Sequence, residues 1–204
     1  MNKTSILVLY YSKHGATQSL AETIARGAEQ AGVEAVIRTV PPVSNNLEQG
    51  QSSIPAHGYP YVSKQDLLNC DGLAVGSPTH FGNMAGAMKH FWDSTSDLWL
   101  KGSLVDKPAC VFCSSSSLHG GQESTLLSMM LPLFHHGMML LGLPYSEPSL
   151  HDTKSGGTPY GVTHVEQKHQ PEQTLSEDEH SLSLAMGKRL GLAASCYKNA
   201  GELS

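Results

Sequence analysis

Ile6-Leu-Val-Leu-Tyr-Tyr-Ser-Lys-His-Gly-Ala-Thr17 compresses a strand, a turn and a helix start into one short stretch. Ile6 to Tyr10 form a continuous apolar and aromatic run bounded by turn chemistry, the pattern of a parallel strand buried on both faces. A helix follows almost at once. Between them lie Ser12, Lys13, His14, Gly15, Ala16 and Thr17, where Gly15 can take backbone angles closed to other residues and hydroxyls stand at both ends. Backbone N–H groups at a helix start lack an intrahelical acceptor and the helix dipole favours negative charge, so this turn reads as an anion cradle.

A strand, a turn with one glycine and a helix also occur as plain structure in α/β proteins, so the form of the loop matters. Gly-x-x-x-x-Gly-Lys-Ser/Thr is absent from the chain, and no Gly-x-Gly-x-x-Gly follows a strand. One glycine and two hydroxyls suit a terminal monophosphate better than a triphosphate or a pyrophosphate. The cofactor this suggests is FMN.

Length and composition set the outer bounds. The 204 residues, 39% hydrophobic and 15% charged, fit one domain over 1–204 with a substantial core and no membrane-spanning run. A net charge of -5 with no clustered basic face argues against nucleic acid as a ligand. The N-terminus reads as a strand and not as a signal peptide. Cys70, Cys110, Cys113 and Cys196 are spread through core-like segments, which fits reduced thiols and a cytoplasmic location. Alternation along a strand sends Cys110 and Cys113 to opposite faces, so packing cysteines are expected there and not a redox pair. A phosphatase Cys-x5-Arg from Cys113 would need Arg at 119, where His119 stands.

The remaining pattern repeats strand and helix. The first helix is expected over about 17–31, with Leu20, Ala21, Ile24 and Ala28 on one face, and the second strand over 33–40. The third strand is expected over 72–77 and closes in a loop, Pro78-Thr-His-Phe-Gly-Asn83; a helix is expected from Met84 to about Leu98. The fourth strand, 108–114, opens into a polar stretch, 114–121. A helix over about 122–136, kinked or broken at Pro132, leads to a fifth strand over 138–143. Irregular insertions are expected at about 41–64 and 144–174. Ser176-x-x-Glu179 is a capping box for the last helix, which buries Leu182, Met186, Leu190 and Ala193. This alternation predicts a doubly wound five-stranded parallel sheet, order 2-1-3-4-5, with helices on both faces. Its ligand edge lies outside the carboxyl ends of the strands, where the three polar loops 12–17, 78–83 and 114–121 converge.

On these loops the chain resembles the flavodoxin-like superfamily, and within it the WrbA-type FMN-dependent NAD(P)H:quinone oxidoreductases. The matching motifs are Leu-Tyr-Tyr-Ser12 with Gly15, Pro78-Thr-His-Phe-Gly-Asn-Met84, Gly120-Gly-Gln-Glu123, His135-His-Gly137 and Gly156-Gly-Thr-Pro-Tyr-Gly161. The resemblance implies noncovalent FMN and two-electron reduction of quinones by NADH or NADPH in a ping-pong scheme. It also implies assembly into a homodimer or homotetramer. Ser12 to Thr17 would then hold the ribityl phosphate. Pro78, Thr79, His80, Phe81, Gly82 and Asn83 would border the isoalloxazine ring, and Ser114, Ser115, Ser116, Ser117 and Gly120 would run along its other edge. His135, with His136 as the alternative, would meet the pyrimidine end and stabilise charge on the reduced flavin; Trp99, Phe81 and His14 would shape the substrate slot. No side chain is required as a nucleophile, since the cofactor carries the hydride chemistry.

Two features depart from the family pattern: the fourth-strand loop is serine-rich where glycine is usual, and His14 and His80 stand where relatives have Tyr and Arg. Other readings are a one-electron flavodoxin-type carrier, which calls for a strongly acidic docking face, and a protein-interaction partner of a transcriptional repressor. His14, His80 and His119 also permit a zinc site, but no acidic ligand accompanies them.

Overall fold

The computed structural model describes residues 3–43, 55, 57–166 and 174–201. In chain order its elements are β1 (Ser5–Tyr10), α1 (Ala16–Gln30), β2 (Glu34–Thr39), α2 (Lys64–Asn69), β3 (Gly72–His80), β4 (Asn83–Met84), α3 (Gly86–Asp93), α4 (Ser96–Leu100), β5 (Pro108–Ser115), α5 (Gln122–His135), β6 (Met139–Leu140), α6 (Ser149–Asp152), β7 (Val162–Val165) and α7 (Glu177–Gly201).

β1 is buried on both faces, as its unbroken apolar run requires. Leu7 and Leu9 pack into one core, with α3 and α5, while Ile6, Val8 and Tyr10 pack into the other, with α1 and α7. Parallel pairing gives the order β2-β1-β3-β5-β6, which is the expected order once the two-residue β4 is set aside. Leu20, Ala21, Ile24 and Ala28 of α1 are fully buried, as are Leu182, Met186 and Leu190 of α7; the fourth α7 core residue is Ala194, one position beyond the expected Ala193. The two helices cross at glycines. A Cβ on Gly187 would lie 2.0 Å from the Ile24 carbonyl oxygen, so only a residue without a side chain fits this crossing.

Three expectations need correction. The fifth strand, expected over 138–143, lies there but is shorter: β6 pairs with only the first two residues of β5, and an additional strand, β7, pairs with its last four, from Phe112↔Val162 to Ser115↔Val165. The insertion at 144–174 is therefore not wholly irregular, since it supplies α6 and a strand that completes the sheet. Buried Thr163 and His164 gave Val162–Val165 the polarity of a loop. The helix expected over 84–98 is divided into α3 and α4, because the hydroxyls of Ser94 and Thr95 donate to the carbonyls of Phe91 and Trp92, offering the backbone a local alternative to continued helix. Finally, α5 runs through Pro132 without a break. Residues 44–54 and 56 of the segment 41–64 lie outside the described residues; its end adds Tyr61, which bridges Thr39 in parallel at the sheet edge.

Cys110 and Cys113 lie in the two different cores, and burial pushes both thiols up to about 12. Cys70 is likewise buried and raised to about 11, whereas Cys196 is exposed. A thiol-reactive disulfide reagent is therefore expected to modify only Cys196 in the native protein and all four cysteines after denaturation. Fast labelling of a second native thiol would contradict the packing of Cys110 and Cys113. Among the described residues no helix is long and apolar enough to cross a membrane.

Candidate functional site

The carboxyl ends of β1, β3 and β5 carry the three loops to one edge. In the first, Gly15 caps α1 at φ 94°, and its N–H donates to Ser12 Oγ at 2.9 Å. The first helical bond runs from Ser19 N to Gly15 O, which leaves the N–H groups of Ala16, Thr17 and Gln18 without helical acceptors. No acidic residue stands in this first turn to compete for them. Thr17 is buried, and its hydroxyl lies 2.9 Å from that of Ser114, so it ties the cradle to the fourth-strand loop. Lys13 and His14 stand exposed on the rim. Beside the cradle opens a cavity of about 330 Å³ lined by Tyr11, Ser12, Lys13, Gly15, Gln18 and His57, among others. Tyr10 lies on this wall with its phenol pushed up to about 12 by burial, then by Glu22 and Tyr59, so it adds no negative charge near the cradle.

The second loop, expected as a loop over 78–83, is a tight hairpin. His80 pairs with Asn83 across Phe81 and Gly82, both with positive φ, 53° and 74°. That is the two-residue turn that suits the twist of paired strands. Ser77 Oγ accepts from Ala85 N, Ser128 Oγ accepts from Met84 N, and Thr125 donates to Thr79, so the hairpin is bolted to β3 and α5. Phe81 is fully exposed in a backbone region that costs a non-glycine residue free energy. An aromatic ring held out in this way is the side chain best placed to lie against a flat cofactor.

The third loop starts later than its polarity implied. Ser114 and Ser115 are buried strand residues of β5, and only Ser116 to His119 are exposed. Ser115 Oγ donates to Ser117 O at 2.7 Å and accepts from Gln122 Nε2 at 2.9 Å. Gly121, at φ 90°, then caps α5 and touches the hairpin: a Cβ there would lie 2.8 Å from Gly82 Cα. Sequence reasoning missed Ser77, Gln122, Thr125, Ser128 and Thr163, which brace the loops. Gln122 falls inside a quoted motif, and that was its only signal.

His135 and Trp99 do not join these loops within one chain. α5 starts at the loop edge and ends with His135 at the opposite edge of the sheet, a helix of 14 residues and so about 20 Å away. His135 and Trp99 instead share a cavity of about 440 Å³ with Leu131, Pro132, Trp92 and His136. His136, the alternative to His135, is engaged elsewhere: its Nε2 lies 3.0 Å from the Thr95 hydroxyl, which itself donates to Trp92 O. The ring therefore donates from Nε2. Burial, with the nearby His135, pushes the His136 pKa down. Among the described residues no group of three or more His, Cys, Asp or Glu side chains is placed to hold a metal ion.

Residues 4–146 match the family model described as NADPH-dependent FMN reductase. The chain is 40% identical over 201 residues, 95% of its own length and 97% of the relative's, to an NAD(P)H dehydrogenase (quinone) of Geotalea daltonii. It is 41% identical over 165 residues, 79% of this chain and 83% of the relative, to a protein of the same description from Gluconacetobacter diazotrophicus. A likeness of fold extends to a flavodoxin, WrbA-like protein from Agrobacterium tumefaciens, at a TM-score of 0.66 and 23% identity over 95% of this chain and 98% of that one. The family model, matching more than two thirds of the chain, and these relatives at about 40% identity place it: the chain belongs to the NADPH-dependent FMN reductase family, alongside the NAD(P)H dehydrogenases (quinone).

Proposed function

We propose that the chain is an FMN-dependent NAD(P)H:quinone oxidoreductase that reduces quinones by two electrons. The observation that carries this reading is the cradle, where three unpaired helical N–H groups and Ser12 meet with no carboxylate in the turn. Ser12 to Thr17 would hold the FMN phosphate, the 78–83 hairpin would flank the ring through Phe81, and Ser114 to Gly120 would follow its other edge. The donor set fits the group: backbone N–H groups for an anion and an aromatic face for a flat ring. Bound there, FMN supplies hydride acceptance and donation, so nicotinamide and quinone can react in turn through one slot. Backbone donors from the loops would stabilise negative charge on the reduced ring.

The active form, on this reading, is a homodimer or homotetramer. Leu127, Leu131 and Phe134 form an exposed apolar stripe on α5, continued by Trp99 and Leu100. A second copy covering this stripe would let Trp99 and His135 of one chain approach the loops of another, the only way for them to reach a flavin from the far edge. The arrangement of buried reduced thiols is consistent with a cytoplasmic site of action.

The test is an anaerobic titration of the FMN-loaded protein. NADH or NADPH should bleach the flavin, and benzoquinone should restore its colour at once with no one-electron species accumulating. Flavin that binds but is not bleached by either donor would favour the one-electron carrier and contradict the oxidoreductase.

A further inference from the structure

We propose that Gln122 is a positioning residue for the flavin-binding serine loop, acting through Ser115 on one side and Thr163 on the other. This rests on the FMN reading above. Gln122 is the first residue of α5 and only 3% exposed. Its amide Nε2 donates to Ser115 Oγ at 2.9 Å, and its Oε1 accepts from Thr163 Oγ1 at 3.1 Å. The chain of bonds continues at both ends. Gly157 N donates to Thr163 Oγ1 at 2.7 Å, and Ser115 Oγ donates to Ser117 O at 2.7 Å.

All four bonds point the same way, from Gly157 N–H through Thr163, Gln122 and Ser115 to the Ser117 carbonyl. Each hydroxyl donates once and accepts once, and the amide does both. A carboxylate at 122 could not donate to Ser115, and an apolar side chain could do neither, so the sense of the chain requires an amide there. Its effect falls on the loop. Ser117 O is held by Ser115 Oγ and also by Gly120 N at 3.2 Å, which keeps this carbonyl inside the loop. The carbonyl oxygens and unprotonated ring nitrogens of an oxidised flavin are acceptors and would be repelled by an outward carbonyl. Glycine can form such a loop through backbone freedom alone; here a serine-rich loop is given its shape by a buried amide. The anchor at the other end is firm as well, because Glu179 takes hydrogen bonds from Gly156 N and Val165 N on either side of Thr163.

FMN affinity should be measured by quenching of flavin fluorescence, and the bound flavin by its visible circular dichroism, for the parent and for Ser115→Ala, Gln122→Met, Thr163→Val and the Ser115→Ala/Gln122→Met double variant. Each of the first two is expected to weaken FMN by about 10-fold and to alter the flavin dichroism, as loss of a buried hydrogen-bond partner in the loop implies. The double variant should also lose only about 10-fold, because both changes cut one chain. Thr163→Val, nearly isosteric and expected to fold whatever Gln122→Met does, should weaken FMN by about 3-fold or more. Affinities within twofold of the parent with unchanged dichroism, even if melting temperatures fall, would make Gln122 merely structural and overturn the proposal. Additive losses in the double variant would overturn it too. A parent that binds no FMN would overturn the oxidoreductase reading itself, and this inference with it.

Discussion

Replacing Glu179 by alanine should destabilise the fold by about 3–5 kcal/mol and lower its melting temperature by on the order of 10 °C, the scale for stripping a buried charge from its partners in a chain of this size. The carboxylate is 1% exposed and sits where three segments meet. Oε1 accepts from Gly156 N at 2.9 Å and Val165 N at 3.1 Å, while Oε2 accepts from Ser176 N at 2.9 Å and lies 2.8 Å from His164 Nδ1. Glu179 N in turn donates to Ser176 Oγ, completing the capping box of α7. Alanine would orphan two buried groups, Gly156 N and His164 Nδ1, and two half-buried ones, Val165 N and Ser176 N, and free β7 from the helix that covers it. Burial pushes the Glu179 carboxyl up, but the His164 hydrogen bond and charge and the Ser176 and Val165 N–H groups outweigh it, leaving it below its ordinary value. A depressed carboxyl stabilises the fold above the unfolded pKa, near 4.5, and that stability is lost as pH falls through the folded value. Melting curves of the parent should therefore drop on the acid side of about pH 4.5, with a shallower drop for Glu179→Gln. Parallel pH profiles for the two proteins would contradict this role.

The second large effect is on the cofactor. Gly15→Val should weaken FMN binding by at least about 10-fold, because Gly15 holds φ 94° and a β-branched residue resists that conformation by about 1–2 kcal/mol. Relaxing the turn would also release Ser12 Oγ from Gly15 N and disperse the N–H groups at the start of α1. Calorimetric titration with FMN reads this directly. Unchanged affinity would mean that the phosphate is not held at this turn.

How much of this the sequence disclosed depended on whether the signal was local. Ile6–Tyr10, Gly15 and the Ser176/Glu179 box each announce themselves within a few residues, and each was found where expected. β7 was hidden because Thr163 and His164 are buried polar groups whose partners, Gln122 and Glu179, are remote in sequence. The loop over 78–83 gave no sign of its hairpin because Phe81 is not a residue that usually takes positive φ. The three loops were located from the chain, but Gln122, which braces one of them, carries no chemistry of its own and so left no mark beyond its motif. His135 and Trp99 show the opposite limit: both were singled out, yet only the path of α5 reveals that one chain keeps them from the cradle.

The most direct test of the central claim, that the Ser12–Thr17 turn holds a terminal phosphate, is a paired titration with FMN and with riboflavin, which differ only by that phosphate. If the helix N–H groups and Ser12 carry the binding, FMN should bind at least about 100-fold more tightly than riboflavin, the value of two charge-assisted hydrogen bonds. Equal affinities would mean that the ring alone is recognised and that the turn around Gly15 is only a turn.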